Sequence, residues 1–164
     1  MRIRWTRLMS SLALASLACS ASAQGLSPIA LEELAPIFDR TVQLQRDVLS
    51  AGNGIVAARA GLPNALCFLQ LSQSLTQFTS EVLRLQTLVL IADDMRDPYD
   101  VKAVLSQVKD VSAALLKTIE ADRPSVNRVP SNCPANNFVA AKAQELLNLY
   151  TSAAPVLRTI VNRN

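Results

Sequence analysis

A heptad pattern runs through FLQLSQSLTQFTSEVLRLQTLV, residues 68–89. Its apolar positions follow one another in alternating steps of three and four residues. These positions are Phe68, Leu71, Leu75, Phe78, Val82, Leu85 and Val89. Such spacing gathers them on one side of an α-helix, as in the seam of a helical bundle. The pattern therefore predicts one long helix over residues 62–94, about 50 Å in length at 1.5 Å per residue.

Two later segments repeat this alternation and predict two more helices. The third helix should begin with Asp97 as its N-cap and Pro98 at its first position. It should end near Asp122, because Arg123-Pro124 follows. Residues 123–133 then predict an irregular linker where binding specificity would be carried. The fourth helix has its seam at Val139, Ala143, Leu146, Tyr150, Ala153, Leu157 and Ile160.

A less regular first helix is predicted ahead of the long one. Ser27-Pro28 marks its start, and the breaker cluster Gly52-Asn53-Gly54 predicts its end. No strand pattern competes with these helices. The sequence therefore predicts an all-α protein, an antiparallel up-down four-helix bundle that forms a single domain over residues 24–164.

The N-terminal segment predicts a cleaved signal peptide. Arg2, Arg4 and Arg7 precede a short apolar run, and Ala21-Ser22-Ala23 supplies a cleavage site after Ala23. The run is shorter than the roughly 20 residues that span a bilayer, so no transmembrane segment is predicted. Lipid anchoring at Cys19 is disfavoured, because the residues before it do not match a lipoprotein box. The predicted location is the periplasm or the exterior.

Removing this leader changes the composition from which function is argued. The whole chain has 16 basic and 13 acidic residues, a net charge of +3, but its three excess arginines lie in the leader. The neutral remainder excludes nucleic acid as a partner. The chain has no histidine, which excludes Ser-His-Asp and Cys-His catalysis and most transition-metal sites. No cofactor is predicted.

Two cysteines remain after the leader, Cys67 and Cys133. An even pair in a small exported domain predicts one disulfide. In an up-down bundle, the start of the second helix and the start of the fourth lie at the same end. Cys67 lies near the first of these starts and Cys133 just before the second. The topology and the disulfide are thus inferred separately and agree.

The densest polar cluster lies between the second and third helices. Asp93, Asp94, Asp97 and Asp100 are candidate ligands for a hard cation, or an acid pair for hydrolysis. A capping interpretation accounts for more of the pattern. Asp97 would cap the third helix, and Asp100 occupies the acidic position of a capping box. The spacing also lacks the alternation of an EF-hand loop, so capping is favoured.

A candidate partner surface has two parts. Residues 88–92 are apolar on every side of the helix. In the favoured interpretation, the connection after the first helix covers these residues. In the alternative, Leu88, Leu90 and Ile91 are exposed and contact a protein or lipid partner. Residues 123–164 are basic, and the favoured interpretation pairs them with acidic neighbours inside the bundle. The alternative places Arg123, Arg128, Arg158 and Arg163 on a face that meets acidic envelope polymers or an acidic partner.

The sequence accordingly predicts a non-enzymatic helical protein of the cell envelope that binds another protein. Its role would be analogous to that of exported inhibitors or immunity proteins, although no motif matches theirs. An alternative is a carrier that holds a small apolar ligand or lipid in the bundle core. Another is a His-free hydrolase or cation site at the acidic turn. Long heptad seams pack without voids, which disfavours the carrier.

Overall fold

The computed structural model describes residues 28–57, 62–133 and 137–163. Within these ranges it contains four helices and no strand. The helices are α1 Pro28–Ala57, α2 Leu62–Asp94, α3 Pro98–Asn132 and α4 Asn137–Asn162. The all-α four-helix prediction is confirmed, and α2 has the predicted bounds. The predicted signal peptide lies outside the described residues.

α3 runs antiparallel to both α2 and α4. The cross-helix pairs are Gln70–Ser125 and Ser74–Asp122 between α2 and α3, and Asp122–Tyr150 and Lys109–Arg163 between α3 and α4. In each helix pair the residue number falls along one helix as it rises along the other. The ring closes where α1 packs against both α2 and α4. This arrangement places the start of α2 beside the end of α3.

The core consists of the seams that the heptad patterns predict. Every seam position of α2 named above is buried, and so is every seam position of α4. The ring of Phe78 meets the ring of Tyr150 edge-on, with centroids 5.0 Å apart at an angle of 69°. This geometry suits the quadrupoles of two aromatic rings. This contact joins the seams of α2 and α4 inside the bundle.

The two cysteines of the domain come within disulfide-bonding distance. The Cα atoms of Cys67 and Cys133 are 6.4 Å apart, and both side chains are buried. This separation lies in the usual range for a bridged pair. The pair connects the first turns of α2 to the residue that follows α3. The location at one end of the bundle is the one predicted from topology.

The predicted end of the third helix is wrong. Residues 123–133 form no irregular linker, because α3 continues through Pro124 and Pro130 to Asn132. Each proline removes one backbone hydrogen bond from the helix. However, Val126, Val129 and Cys133 extend the seam of α3 in steps of three and four, and each is at most 1% exposed. Their burial offsets the lost hydrogen bonds, so packing overrides the local signal.

The predicted end of the first helix is also wrong. The cluster Gly52-Asn53-Gly54 lies inside α1, which continues to Ala57. Gly52 is buried against α2, and a Cβ atom at this position would lie 2.6 Å from Cζ of Phe68. This distance is shorter than packed carbon atoms tolerate. The glycine therefore allows the two helices to approach closely and does not end the helix.

We expect Gly52→Ala to lower the free energy of unfolding by about 1 kcal/mol. Overpacking of the buried Phe68 ring costs about 2 kcal/mol, and the better helix propensity of alanine returns about half of it. Urea denaturation followed by circular dichroism measures the change. The control is Gly52→Ala in a Phe68→Leu background, where the smaller side chain should make it neutral or stabilising. Stabilisation in both backgrounds would contradict the close approach.

Candidate functional site

A second heptad seam lies on the face of α2 that points away from the core. It is offset by two positions from the buried seam, which corresponds to about 200° around the helix. We call it the outer seam: Leu66, Leu69, Gln73, Thr76, Ser80, Leu83, Thr87 and Leu90. All eight side chains are exposed and none is charged. α2 thus carries the same alternation of three and four on two opposite faces.

The leucines of the outer seam stand near its two ends. Leu66 and Leu69 are 56% and 58% exposed, and Leu83 and Leu90 are 42% and 60% exposed. Beside the second pair, Ile91 is 40% exposed. Large apolar side chains aligned along one helix face are typical of an interaction surface. The middle of the seam is polar but uncharged.

The favoured interpretation of residues 88–92 is wrong for two of them. Leu90 and Ile91 are exposed, and none of the described elements covers them. Leu88 is half-buried and packs against the core, while Val89 and Ala92 are buried. The reason is that α1 and α3 cover only the flanks of α2 and leave its outer face open. The structure therefore places the predicted Leu90 on the outer seam.

The acidic turn acts as a helix cap. A carboxylate oxygen of Asp97 accepts a hydrogen bond of 2.8 Å from the backbone N–H of Tyr99, which confirms the predicted N-cap. Asp93, Asp94 and Asp100 are exposed. Over the described ranges, no three acidic or cysteine side chains gather where they could hold a metal ion. The candidate cation ligands are thus not brought together.

One groove collects cations that the sequence places far apart. Arg123 of α3 and Arg158 of α4 both line a hollow of about 360 Å³ between the two helices. Past Arg123 and Thr151, it continues into a second hollow of about 540 Å³. We call both together the α3–α4 groove. Its other lining residues are Leu116, Ile119, Glu120, Pro124, Asn127, Gln144, Leu147, Ala154 and Pro155.

Arg128 and Lys142 have hydrogen-bond partners within the bundle. Nε of Arg128 donates a hydrogen bond of 3.2 Å to the carbonyl oxygen of Pro124. The ammonium group of Lys142 lies 2.8 Å from a carboxylate oxygen of Asp47 and 2.9 Å from one of Glu145. The hydrogen bond between Lys142 and Asp47 lowers the pKa of Asp47 and raises the pKa of Lys142. Pairing of a basic residue with acidic neighbours inside the bundle is therefore observed for Lys142.

The sequence patterns did not predict a hydrogen-bonded cluster that lies inside the bundle. Asp122 accepts a hydrogen bond of 2.9 Å from the hydroxyl of Ser74 and one of 2.6 Å from the hydroxyl of Tyr150. Burial of Tyr150, together with the adjacent carboxylate, raises its pKa well above the usual value. The phenol therefore stays protonated as a donor. None of the three side chains lines the α3–α4 groove, and the cluster joins α2, α3 and α4.

No family model, curated protein or solved structure matches the chain. Among the described helices, none combines the length and the apolar character that crossing a membrane requires.

Proposed function

We propose that this protein binds another protein of the cell envelope through the outer seam of α2. A helix that only closes a bundle needs one apolar stripe. On its opposite face α2 also exposes four leucines at heptad positions, separated by uncharged polar residues. This exposed second seam is the observation that carries the proposal. The occupant that fits it is an amphipathic helix laid along α2.

The energetics of the outer seam favour association. Covering four leucines that are about half exposed contributes about 1 kcal/mol for each. No charged group on the seam has to be desolvated. The hydroxyls of Ser80 and Thr87 already donate to carbonyl oxygens of their own helix. Their polarity is therefore largely satisfied before a partner arrives.

Export belongs to the same proposal. The basic and apolar leader and the cleavage site at Ala21-Ser22-Ala23 support removal of residues 1–23. The close approach of Cys67 and Cys133 supports an oxidising compartment, the periplasm or the exterior. The protein would act there as inhibitors and immunity proteins do, by occupying a surface of its partner.

The role proposed is not enzymatic. The chain has no histidine. Among the described residues, the hydrogen bond between Asp122 and Tyr150 joins α3 to α4. The hollows of the α3–α4 groove lie between helices at the surface, and Arg123 and Arg158 on their rim are exposed. The apolar-ligand carrier and the His-free hydrolase or cation site remain hypotheses without a supporting observation.

Site-specific crosslinking tests the proposal in cells that express the full chain. A photoreactive amino acid at Thr87, in the outer seam, should give one discrete adduct in the envelope fraction. The intact mass of the exported protein should correspond to a chain that begins at Gln24. The double variant Leu83→Glu with Leu90→Glu should reduce the adduct at least tenfold, because it buries two charges at the interface.

The matched control is Ala114→Glu with Ala121→Glu, which places the same charges seven residues apart on exposed positions of α3. This variant should keep the adduct, and both variants should melt within a few degrees of the parent. Equal loss in both variants would contradict the assignment to the outer seam. If the adduct contains only two copies of this chain, the proposal of an envelope partner is wrong and the outer seam mediates self-association.

A further inference from the structure

Two exposed guanidinium groups, those of Arg123 and Arg158, line the α3–α4 groove. Arg123 and Arg158 are exposed, and neither makes an ion pair or a side-chain hydrogen bond with the residues that the structure describes. Arg128 and Lys142, by contrast, both have partners within the bundle. Among the described residues that line the groove, one is acidic, Glu120. The groove therefore has an excess of positive charge.

Two prolines interrupt the backbone hydrogen bonding of the helices that form the groove. Pro124 and Pro155 line the groove, and neither has a backbone N–H. The carbonyl groups of Glu120 and Thr151 consequently lose the donor that they would have four residues later in a regular helix. Both of these residues also line the groove. A ligand with N–H groups as well as carboxylates would match both kinds of site.

The shape of the groove limits the class of ligand. Gln144 and Arg158 mark its extent along α4, about 21 Å at 1.5 Å per residue. An extended peptide of about six residues has this length. Leu116, Ile119 and Leu147 supply apolar lining between the polar groups. A single small anion would leave most of this lining uncovered.

We propose that the α3–α4 groove binds an extended acidic peptide segment of a partner protein. Arg123 and Arg158 hold its carboxylates, and a guanidinium can do so through two parallel hydrogen bonds. The peptide N–H groups face the carbonyls of Glu120 and Thr151. The basic excess of residues 123–164 attracts such a segment before contact. This site lies on helices other than α2 and is independent of the outer seam.

Fluorescence anisotropy with the labelled peptide Glu-Leu-Glu-Glu-Leu-Glu tests the proposal. Each of Arg123→Glu and Arg158→Glu should raise the Kd at least tenfold, and the double variant should abolish binding. Arg123→Lys should give a smaller loss, because a lysine keeps the charge but not the paired geometry. The matched control is Arg84→Glu on α2, which makes the same charge change at an exposed position and should leave the Kd within twofold.

Two further ligands test the specificity of the groove. The same peptide with glutamine in place of glutamate should not bind. Polyphosphate separates peptide recognition from general attraction of anions. Binding of polyphosphate but not of the acidic peptide would overturn the proposal, as would an equal loss in Arg84→Glu. The variant Leu83→Glu with Leu90→Glu should bind the peptide normally, so failure at the outer seam and failure at the groove can be told apart.

Discussion

Reduction of the Cys67–Cys133 pair should lower the free energy of unfolding by about 4 kcal/mol. The two cysteines are separated by 66 residues, and their Cα atoms lie 6.4 Å apart in the folded chain. A bridge between them removes much of the conformational freedom of the unfolded chain over that loop. Because both side chains are buried, the reductant must act through an opened state. Urea denaturation with and without a reductant measures the difference.

The control for this experiment is the variant Cys67→Ala with Cys133→Ala. Its stability should resemble that of the reduced protein and should not respond to the reductant. Alkylation gives an independent test of the same bond. If denatured, unreduced protein from the envelope accepts label at both cysteines, the pair is not bridged there. In that case the support that the cysteines lend to an oxidising compartment also disappears.

The sequence predicts the parts of this fold in which local and long-range signals agree. The bounds of α2 and the cap at Asp97 follow from spacing and from one capping residue. Pro124 and the cluster around Gly52 carry local signals that predict helix ends. At these positions the burial of Val126, Val129 and Cys133, and the contact between Gly52 and Phe68, decide the outcome. Such contacts join distant residues, so no local window of sequence contains them.

The candidate surfaces differ in how far the sequence could have predicted them. The outer seam is present as a spacing, but its positions are shared between leucines and the polar residues Gln73, Thr76, Ser80 and Thr87. A search for apolar spacing alone therefore finds only the buried seam. The α3–α4 groove was harder to predict from the sequence. Arg123 and Arg158 meet there only because α3 stays helical through Pro124, and the sequence predicts the opposite.

Replacing Asp122 with alanine should lower the free energy of unfolding by about 3 kcal/mol. The carboxylate accepts the hydroxyl of Tyr150 at 2.6 Å and that of Ser74 at 2.9 Å. Tyr150 is fully buried, so its hydroxyl would lose a partner where water does not replace it. Hydrogen bonds to a charged acceptor are the stronger kind, and an orphaned buried donor adds its own cost. Urea denaturation of the purified variant measures the loss.

A double-mutant cycle assigns that loss to the pair. In a Tyr150→Phe background no phenol is left to orphan, and Asp122→Ala should cost only about 1 kcal/mol, a coupling of about 2 kcal/mol. The matched control is Asp110→Ala, an exposed acid on the same helix, which should change stability by less than about 0.5 kcal/mol. If the coupling vanished, the two side chains would act separately. Asp122 would then not be the group that fixes Tyr150, and with it α4, against α3.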